Sequence, residues 1–261
     1  MISIRKDKFY KDLLLKLNNI NNFQKLMKLQ NISRKYEDIL VKTKKYPILI
    51  INKKYINNKL INKFVLLTSL PYIFIKNKLN NDEIKIYKEK LDKLWNSKSC
   101  KRCNFMIHRK TVPTGNLNAK YFIIGEAPGV GDGKEYFDRV FVYGPSSHLL
   151  RLQMHKYNIH KYAIYSNLMK CAYPKNRKGN FNEYDECFGY LNFEIHTIRP
   201  AVIILLGKQV INFFKSKYGH NLQIGEVYLN NNYKIFPFFH PSFFIYKRNL
   251  INKFSLFRYI K

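Results

Sequence analysis

From residue 121 onward the chain alternates short apolar runs with amphipathic stretches, and that alternation limits its fold more than any other feature. Tyr121 to Ile124, Ala163 to Ser166, Ala201 to Leu206 and Tyr233 to Phe239 read as strands, while Ser146 to Tyr157, Glu183 to Thr197 and Lys208 to Tyr218 read as helices. Apolar strands separated by helices predict a mainly parallel central sheet with helices on both faces, a three-layer α/β/α arrangement. In such a sheet ligands sit at the carboxyl ends of strands. The first run ends in Gly125-Glu126-Ala127-Pro128-Gly129. These residues cannot continue a strand, so a sharp loop is expected there.

At 261 residues the chain can bury a proper core, and a hydrophobic content of 46% is ordinary for a globular protein. Its charge is not ordinary. Forty-seven Lys and Arg face 17 Asp and Glu, a formal net charge of +30, which predicts attraction to a polyanion and most simply to nucleic acid. The excess divides evenly between residues 1–100 and 101–261, so both halves should feel a phosphate backbone. An AT-rich coding sequence would also raise Lys, Asn, Ile, Tyr and Phe together, and it accounts for part of the bias. A membrane partner is not expected, because the longest apolar candidate, Phe64 to Ile75, is short and broken by Thr68, Ser69 and Pro71. Lys6, Asp7, Lys8, Lys11 and Asp12 precede any apolar stretch, so no secretory signal is visible. An intracellular protein is expected, with the organelle or the viral or host compartment left open.

Before the alternation begins, Leu13, Leu14, Leu17, Ile20, Phe23, Leu26 and Leu29 recur at helical spacing amid Lys and Asn. Tyr46 to Ile51 and Phe64 to Ile75 read as strands or short buried segments, and Glu83 to Trp95 as a further helix. Residues 1–82 are therefore expected to form a basic, mainly helical extension, with the α/β domain covering 83–261.

Cysteine occurs four times, as Cys100 and Cys103 in a C-x-x-C unit and as Cys171 and Cys187. Thiols in a chain with no secretory signal stay reduced, which favours metal over disulfides. Zinc ribbons pair two tight C-x-x-C-like units, whereas here the second pair is split by 15 residues, a spacing that iron-sulfur sites accept. Spacing alone leaves iron-sulfur, zinc and uncommitted thiols open.

Five ordered blocks now stand together: C-K-R-C, I-I-G-E-A-P-G, N-L-M-K-C followed by P-K-N-R with Glu183 and Cys187, I-L-L-G-K, and H-P-S. In this combination the chain resembles the iron-sulfur uracil-DNA glycosylases, often called family 4, within the uracil-DNA glycosylase superfamily. The similarity spans roughly Ile84 to Arg248. It implies a [4Fe-4S] cluster held by Cys100, Cys103, Cys171 and Cys187, with zinc as the alternative, and a monofunctional DNA N-glycosylase that leaves an abasic site in base excision repair.

That chemistry needs an extruded base, a pocket that reads its edge, and stabilisation of a departing uracil anion and a cationic sugar. The resemblance assigns base reading to Asn167, whose amide supplies both a donor and an acceptor, and a hydrogen bond to uracil O2 to His240. Phe141 matches the stacking aromatic, with Phe137 competing because an additional residue after Val142 shifts the family register. Gly125 and Ala127 line the base, the glycine allowing close backbone approach. Ala127 stands where another branch of the superfamily has its catalytic aspartate, so catalysis is expected to lean on leaving-group stabilisation. Asp132 is the first candidate for positioning water or supporting the oxocarbenium ion, and Glu126 the second. Ser146 and Ser147, at a predicted helix start, and Lys247, Arg248, Arg177, Lys175 and Lys178 are candidate phosphate contacts.

Two function classes fit these residues. One is an active glycosylase working as a monomer on uracil-containing DNA, single- or double-stranded. The other is an inactive descendant that binds nucleic acid structurally, beside replication proteins or in another nucleoprotein assembly. Retention of Asn167, His240 and Phe141 favours the first, since a scaffold has no need of them.

Overall fold

The computed structural model describes residues 2–3, 8–18, 29, 32–33, 36, 49–52, 60, 64, 70, 72–75, 81–82, 85–86, 89, 111, 113–129, 140–142, 144–173, 177–230 and 232–260. It divides into two compact units, Met1–Trp95 with Gly115–Leu117, and Asn96–Thr114 with Asn118–Lys261.

The first unit joins the expected helix to a sheet of its own. Helix α1 (Lys8–Asn18) turns Tyr10, Leu13 and Leu17 inward at i, i+3 and i+7, and leaves Asp12, Leu15 and Lys16 in solvent. Strands β1 (Ile2–Ser3), β2 (Leu49–Asn52) and β3 (Tyr72–Ile75) pair in parallel in the order β1-β2-β3. The helix face packs with Leu29, Leu49, Ile51, Phe64, Leu70 and Tyr72 into one apolar cluster. Phe9 stacks on Tyr36 at 4.0 Å between ring centroids. Of the helix expected from Glu83 to Trp95, residues 85, 86 and 89 are described, and they are helical.

The second unit holds the predicted parallel sheet. The sheet's strands are β4 (Thr114–Gly115), β5 (Tyr121–Gly125), β6 (Ala163–Asn167), β7 (Val202–Leu206), β8 (Tyr228–Leu229) and β9 (Lys234–Phe238), in the order β4-β6-β5-β7-β9-β8, and all of it but Gly115 belongs to the second unit. β5, β6, β7 and β9 pair in parallel, and β8 is antiparallel to β9 at the edge. Every residue of β5, β6 and β7 is buried. This explains why those runs are continuously apolar rather than alternating: helices cover both faces, so neither side of the strand meets water.

The helices are α2 (Pro145–Lys156), α3 (Phe181–Ile198), α4 (Lys208–Tyr218) and the short α5 (Pro241–Tyr246), followed by a 3-10 helix over Arg248–Ile260. Helix α3 starts in a reciprocal capping box, the Asn180 side chain accepting from Glu183 N and Glu183 accepting from Asn180 N. It ends at Arg199 in the left-handed region (φ 54), with Pro200 preventing continuation. The final 3-10 helix closes the core with Phe254, Phe257 and Ile260, packed against Phe236, Phe238 and Phe244. Phe238 and Phe257 meet at 4.5 Å between centroids. Among the described residues, no helix is long and apolar enough to cross a membrane.

The strand order has one consequence for function. The chain leaves β5 for β6 on one side and later returns to place β7 on the other, so the order reverses beside β5. A crevice opens at such a reversal, outside the carboxyl ends of the strands.

Candidate active site

Each parallel strand delivers one candidate residue to that end of the sheet. Gly125 closes β5 and stands in register with Asn167, the last residue of β6. Gly207 follows β7 and donates its N–H to the carbonyl of Phe238 in β9, two residues before His240. The turn after β6 is laced to the turn after β5: Leu168 N–H donates to Gly125 O and Met169 N–H to Glu126 O, both at 2.8 Å.

Two side chains close tightly over Gly125. A β-carbon there would come within 2.6 Å of Asn167 Oδ1 and within 2.6 Å of Phe141 Cζ, closer than real carbons approach. The Asn167 side chain is buried, and its Oδ1 has no hydrogen-bond partner among the described residues. A buried carbonyl left unpaired costs stability, which makes this atom a candidate acceptor for a donor from outside. Phe141 has a left-handed backbone (φ 51), and its ring lies 6.1 Å from that of Tyr165 and 6.5 Å from that of His240. Thr114 Oγ1 donates to the carbonyl of Val140 at 2.8 Å and steadies the residue before that turn. Phe137 and Asp132 lie outside the described residues.

His240 occupies the N-cap of α5. Its Nδ1 accepts from the Ser242 backbone N–H at 3.2 Å and lies 2.7 Å from Ser242 Oγ. A backbone N–H can only donate, so Nδ1 is the acceptor and the neutral ring carries its proton on Nε2. Burial pushes the imidazole pKa below its ordinary value, against a smaller opposing pull from the Glu126 carboxylate. Gly207, at φ +92, passes so close that a β-carbon would touch His240 Cβ at 3.0 Å.

Glu126 Oε1 accepts from Tyr184 OH at 2.7 Å and from Gly179 N–H at 3.2 Å. Glu126 therefore ties the loop before α3 to the pocket turn as well as facing His240. Ala127 is half-buried beside it.

Among the candidate phosphate contacts, Lys247 and Arg248 are exposed just beyond α5, and Lys178 is exposed before α3. Arg177 forks onto Glu183 and covers the Tyr173 ring at 4.5 Å, so its guanidinium is largely committed within the protein. Ser146 and Ser147 sit in the first turn of α2, whose N-cap is Gly144 with no side-chain cap. The N–H groups of that turn are not met by a capping side chain. Lys175 lies outside the described residues.

Cys187 is buried on α3 and Cys171 is half-buried. Cys187 Sγ accepts the Lys170 backbone N–H at 3.4 Å. Cys100 and Cys103 lie outside the described residues. Among the described residues, no three His, Cys, Asp or Glu gather as a metal site.

One cluster escapes sequence reasoning. Lys170 and Glu194 form an ion pair at 2.7 Å with side chains only 2% and 3% exposed. Lys170 Nζ also donates to Ser166 Oγ at 2.8 Å and to the Asn167 carbonyl at 2.7 Å, while Ser166 Oγ donates to Glu194 Oε2 at 2.6 Å. Lysine and glutamate are rarely buried, so nothing in their spacing announces it.

A family model described as the uracil DNA glycosylase superfamily matches residues 112–259. The chain is similar to the type-4 uracil-DNA glycosylase of Sulfurisphaera tokodaii, 30% identical over an alignment of 164 residues that covers 58% of this chain and 74% of that protein. Against the type-4 uracil-DNA glycosylase of Thermotoga maritima it is 31% identical over 160 residues, 58% and 81% of the two chains. Against that of Saccharolobus solfataricus it is 34% identical over 161 residues, 57% and 74%.

Proposed function

This chain belongs to the uracil-DNA glycosylase superfamily, and on that basis we propose that it removes uracil from DNA by hydrolysing the N-glycosidic bond. The observation that carries the reading is the buried Asn167 Oδ1, which has no hydrogen-bond partner among the described residues and lies over Gly125 beside the Phe141 ring. Uracil presents N3–H as a donor beside O4 as an acceptor, the complement of a carboxamide's oxygen and NH2. Cytosine presents the opposite pattern at these two positions and would set like groups against each other.

In this reading the base leaves the stack, lies against the Phe141 ring and is read by Asn167. Gly125 and Ala127 leave room for the base edge. The C1′–N1 bond breaks with its electron pair passing to uracil, and His240 Nε2–H donates to O2 as the negative charge develops. An oriented donor of this kind is worth about 2.7–4 kcal/mol in comparable sites. Water adds to C1′ and loses a proton, leaving an abasic sugar. Asp132 is proposed to orient that water or to support the cationic sugar, with Glu126 as the second choice.

Cys100, Cys103, Cys171 and Cys187 are proposed to hold a [4Fe-4S] cluster. The donor set is thiolate throughout, and the amide hydrogen bond to Cys187 Sγ is of the kind that supports a metal-bound sulfur. Such a cluster would supply a covalent staple rather than chemistry at the base.

Lys247, Arg248 and the first turn of α2 with Ser146 and Ser147 are proposed to meet the phosphate backbone, Arg177 adding its charge to the same field. Residues 1–82 are proposed as a basic extension to the glycosylase domain, with Lys8 and Lys16 exposed on α1 to extend phosphate contacts. A monomer suffices for this scheme.

The test is single-turnover cleavage of a strand carrying one uracil, read after alkali, with protein purified without oxygen and His240→Ala alongside. Cleavage by the native chain and its loss in the variant is the expected result. DNA binding without cleavage by the cluster-loaded protein would overturn the reading in favour of a structural nucleic-acid binder.

A further inference from the structure

We propose that Lys170 is a positioning residue for Asn167, held in place by Glu194 and Ser166; this rests on Asn167 being the base reader. Three observations converge. The Lys170 ammonium donates to the Asn167 carbonyl, to Ser166 on one side of Asn167 in sequence, and to the Glu194 carboxylate on α3. Lys170 itself is fixed at its main chain, because its carbonyl accepts from both Thr111 N–H and Thr111 Oγ1, at 2.7 and 3.0 Å. The two residues between Asn167 and Lys170 are those whose N–H groups dock on Gly125 and Glu126.

The physical need is clear from Asn167. Among the described residues its Oδ1 has no hydrogen-bond partner to hold its direction, yet it must present that atom to a ligand within a few tenths of an ångström. With no partner on that oxygen, the main chain must supply the rigidity. A buried ammonium on the adjacent carbonyl does so, because a charge-assisted bond in a dry site is strong and directional. The Glu194 carboxylate makes that buried ammonium tolerable, and Ser166 links the two. The ion pair therefore contributes orientation at the pocket, where an apolar pair of equal volume would contribute only packing.

Removing Lys170 alone would strand a carboxylate in the core, so the decisive variant is Lys170→Met/Glu194→Met, which removes both charges together. Ser166→Ala is the milder companion. The first readout is hydrogen exchange of the Leu168 and Met169 amides, which reports whether the turn carrying Asn167 stays docked. The second is single-turnover uracil release, alone and combined with Asn167→Ala.

We expect faster exchange at both amides, cleavage slowed about 10–100-fold, an unchanged salt dependence of DNA binding, and no additional loss when Asn167 is already Ala. Native exchange with native cleavage in the paired variant would overturn the proposal. So would a loss that multiplies fully with that of Asn167→Ala, since Lys170 would then act elsewhere. If the unaltered chain releases no uracil, the glycosylase reading falls, while the exchange measurement still decides whether Lys170 holds the turn.

Discussion

The Ser242 backbone N–H points at His240 Nδ1 across 3.2 Å, and this one interaction decides which nitrogen of the ring faces outward with a proton. A protonated Nδ1 would set N–H against N–H, so the imidazolium is disfavoured by geometry as well as by burial. The neutral ring should persist below pH 6.5. Single-turnover cleavage is expected to be flat from pH 8 to below 6.5 and to fall only at lower pH, where the ring finally protonates. Linkage gives stability the same sign. The unfolded chain takes up its proton near pH 6.5 and the folded chain only below that, so stability declines with falling pH across this interval and then levels off. A rate that rises as pH drops from 7 to 6 would contradict the neutral donor.

Gly125→Ala tests the close approach of Asn167 and Phe141 directly. The added methyl would meet Asn167 Oδ1 and Phe141 Cζ, each at 2.6 Å, so one or both of these side chains must shift. Overpacking of this kind costs about 1–3 kcal/mol of stability, so the variant should fold while uracil release is lost. Thermal melting beside single-turnover cleavage separates the two effects. Native cleavage in this variant would mean that the base binds elsewhere.

Phe141→Ala should weaken uracil-specific binding by about 1–3 kcal/mol, the usual worth of one aromatic platform under one base. The slope of log affinity against log salt should not change, because the ring meets no phosphate. Equilibrium binding of uracil-containing and uracil-free strands at several salt concentrations measures both quantities. An equal loss on both strands would assign Phe141 to the fold alone.

Lys247→Ala and Arg248→Ala should behave in the opposite way. Each phosphate deprived of its cation should make the salt slope shallower by about 0.9 on duplex DNA, with uracil-containing and plain strands affected alike. An unchanged slope in the double variant would remove these residues from the interface.

Asn180→Ala should destabilise the protein by about 1 kcal/mol, because it opens the capping box of the helix that carries both Cys187 and Glu194. The Glu183 carboxyl in the same box is held below its ordinary pKa, first by its hydrogen bond to Arg177 and also by the Asn180 N–H. A depressed carboxyl favours folding above the unfolded value and loses that contribution as pH falls through the folded one. The difference in melting temperature between the native chain and Glu183→Gln should therefore shrink below pH 4.5. A difference that holds constant into that range would show the carboxylate to be idle.

The positions of three candidate site residues are legible from local sequence, while their roles come only from the family resemblance. Gly125, Asn167 and His240 each stand at the end of an apolar run, and a strand's last residue is a position that neighbouring residues can mark. Phe141 is legible only with a competing register against Phe137. The Lys170–Glu194 pair is not legible, since 24 residues separate its members and neither has a side chain that periodicity would place in a core. Glu126 reads as a catalytic carboxylate, and its bond to Tyr184, 58 residues away, adds a structural duty invisible from its neighbours.

Local rules were enough for the class of fold and the strand ends that carry polar groups, because apolar runs become buried strands, helical spacing becomes covering helices, and Gly or Pro ends them; the family is marked by the resemblance of its ordered motifs. The folded chain alone decided that Gly125 and Asn167 stand in register, that Gly207 presses against His240, and that a buried ammonium holds the Asn167 carbonyl. Those relations depend on the order in which strands enter the sheet. The hydrogen bonds and close approaches that result join residues whose separation along the chain carries no signal of their meeting.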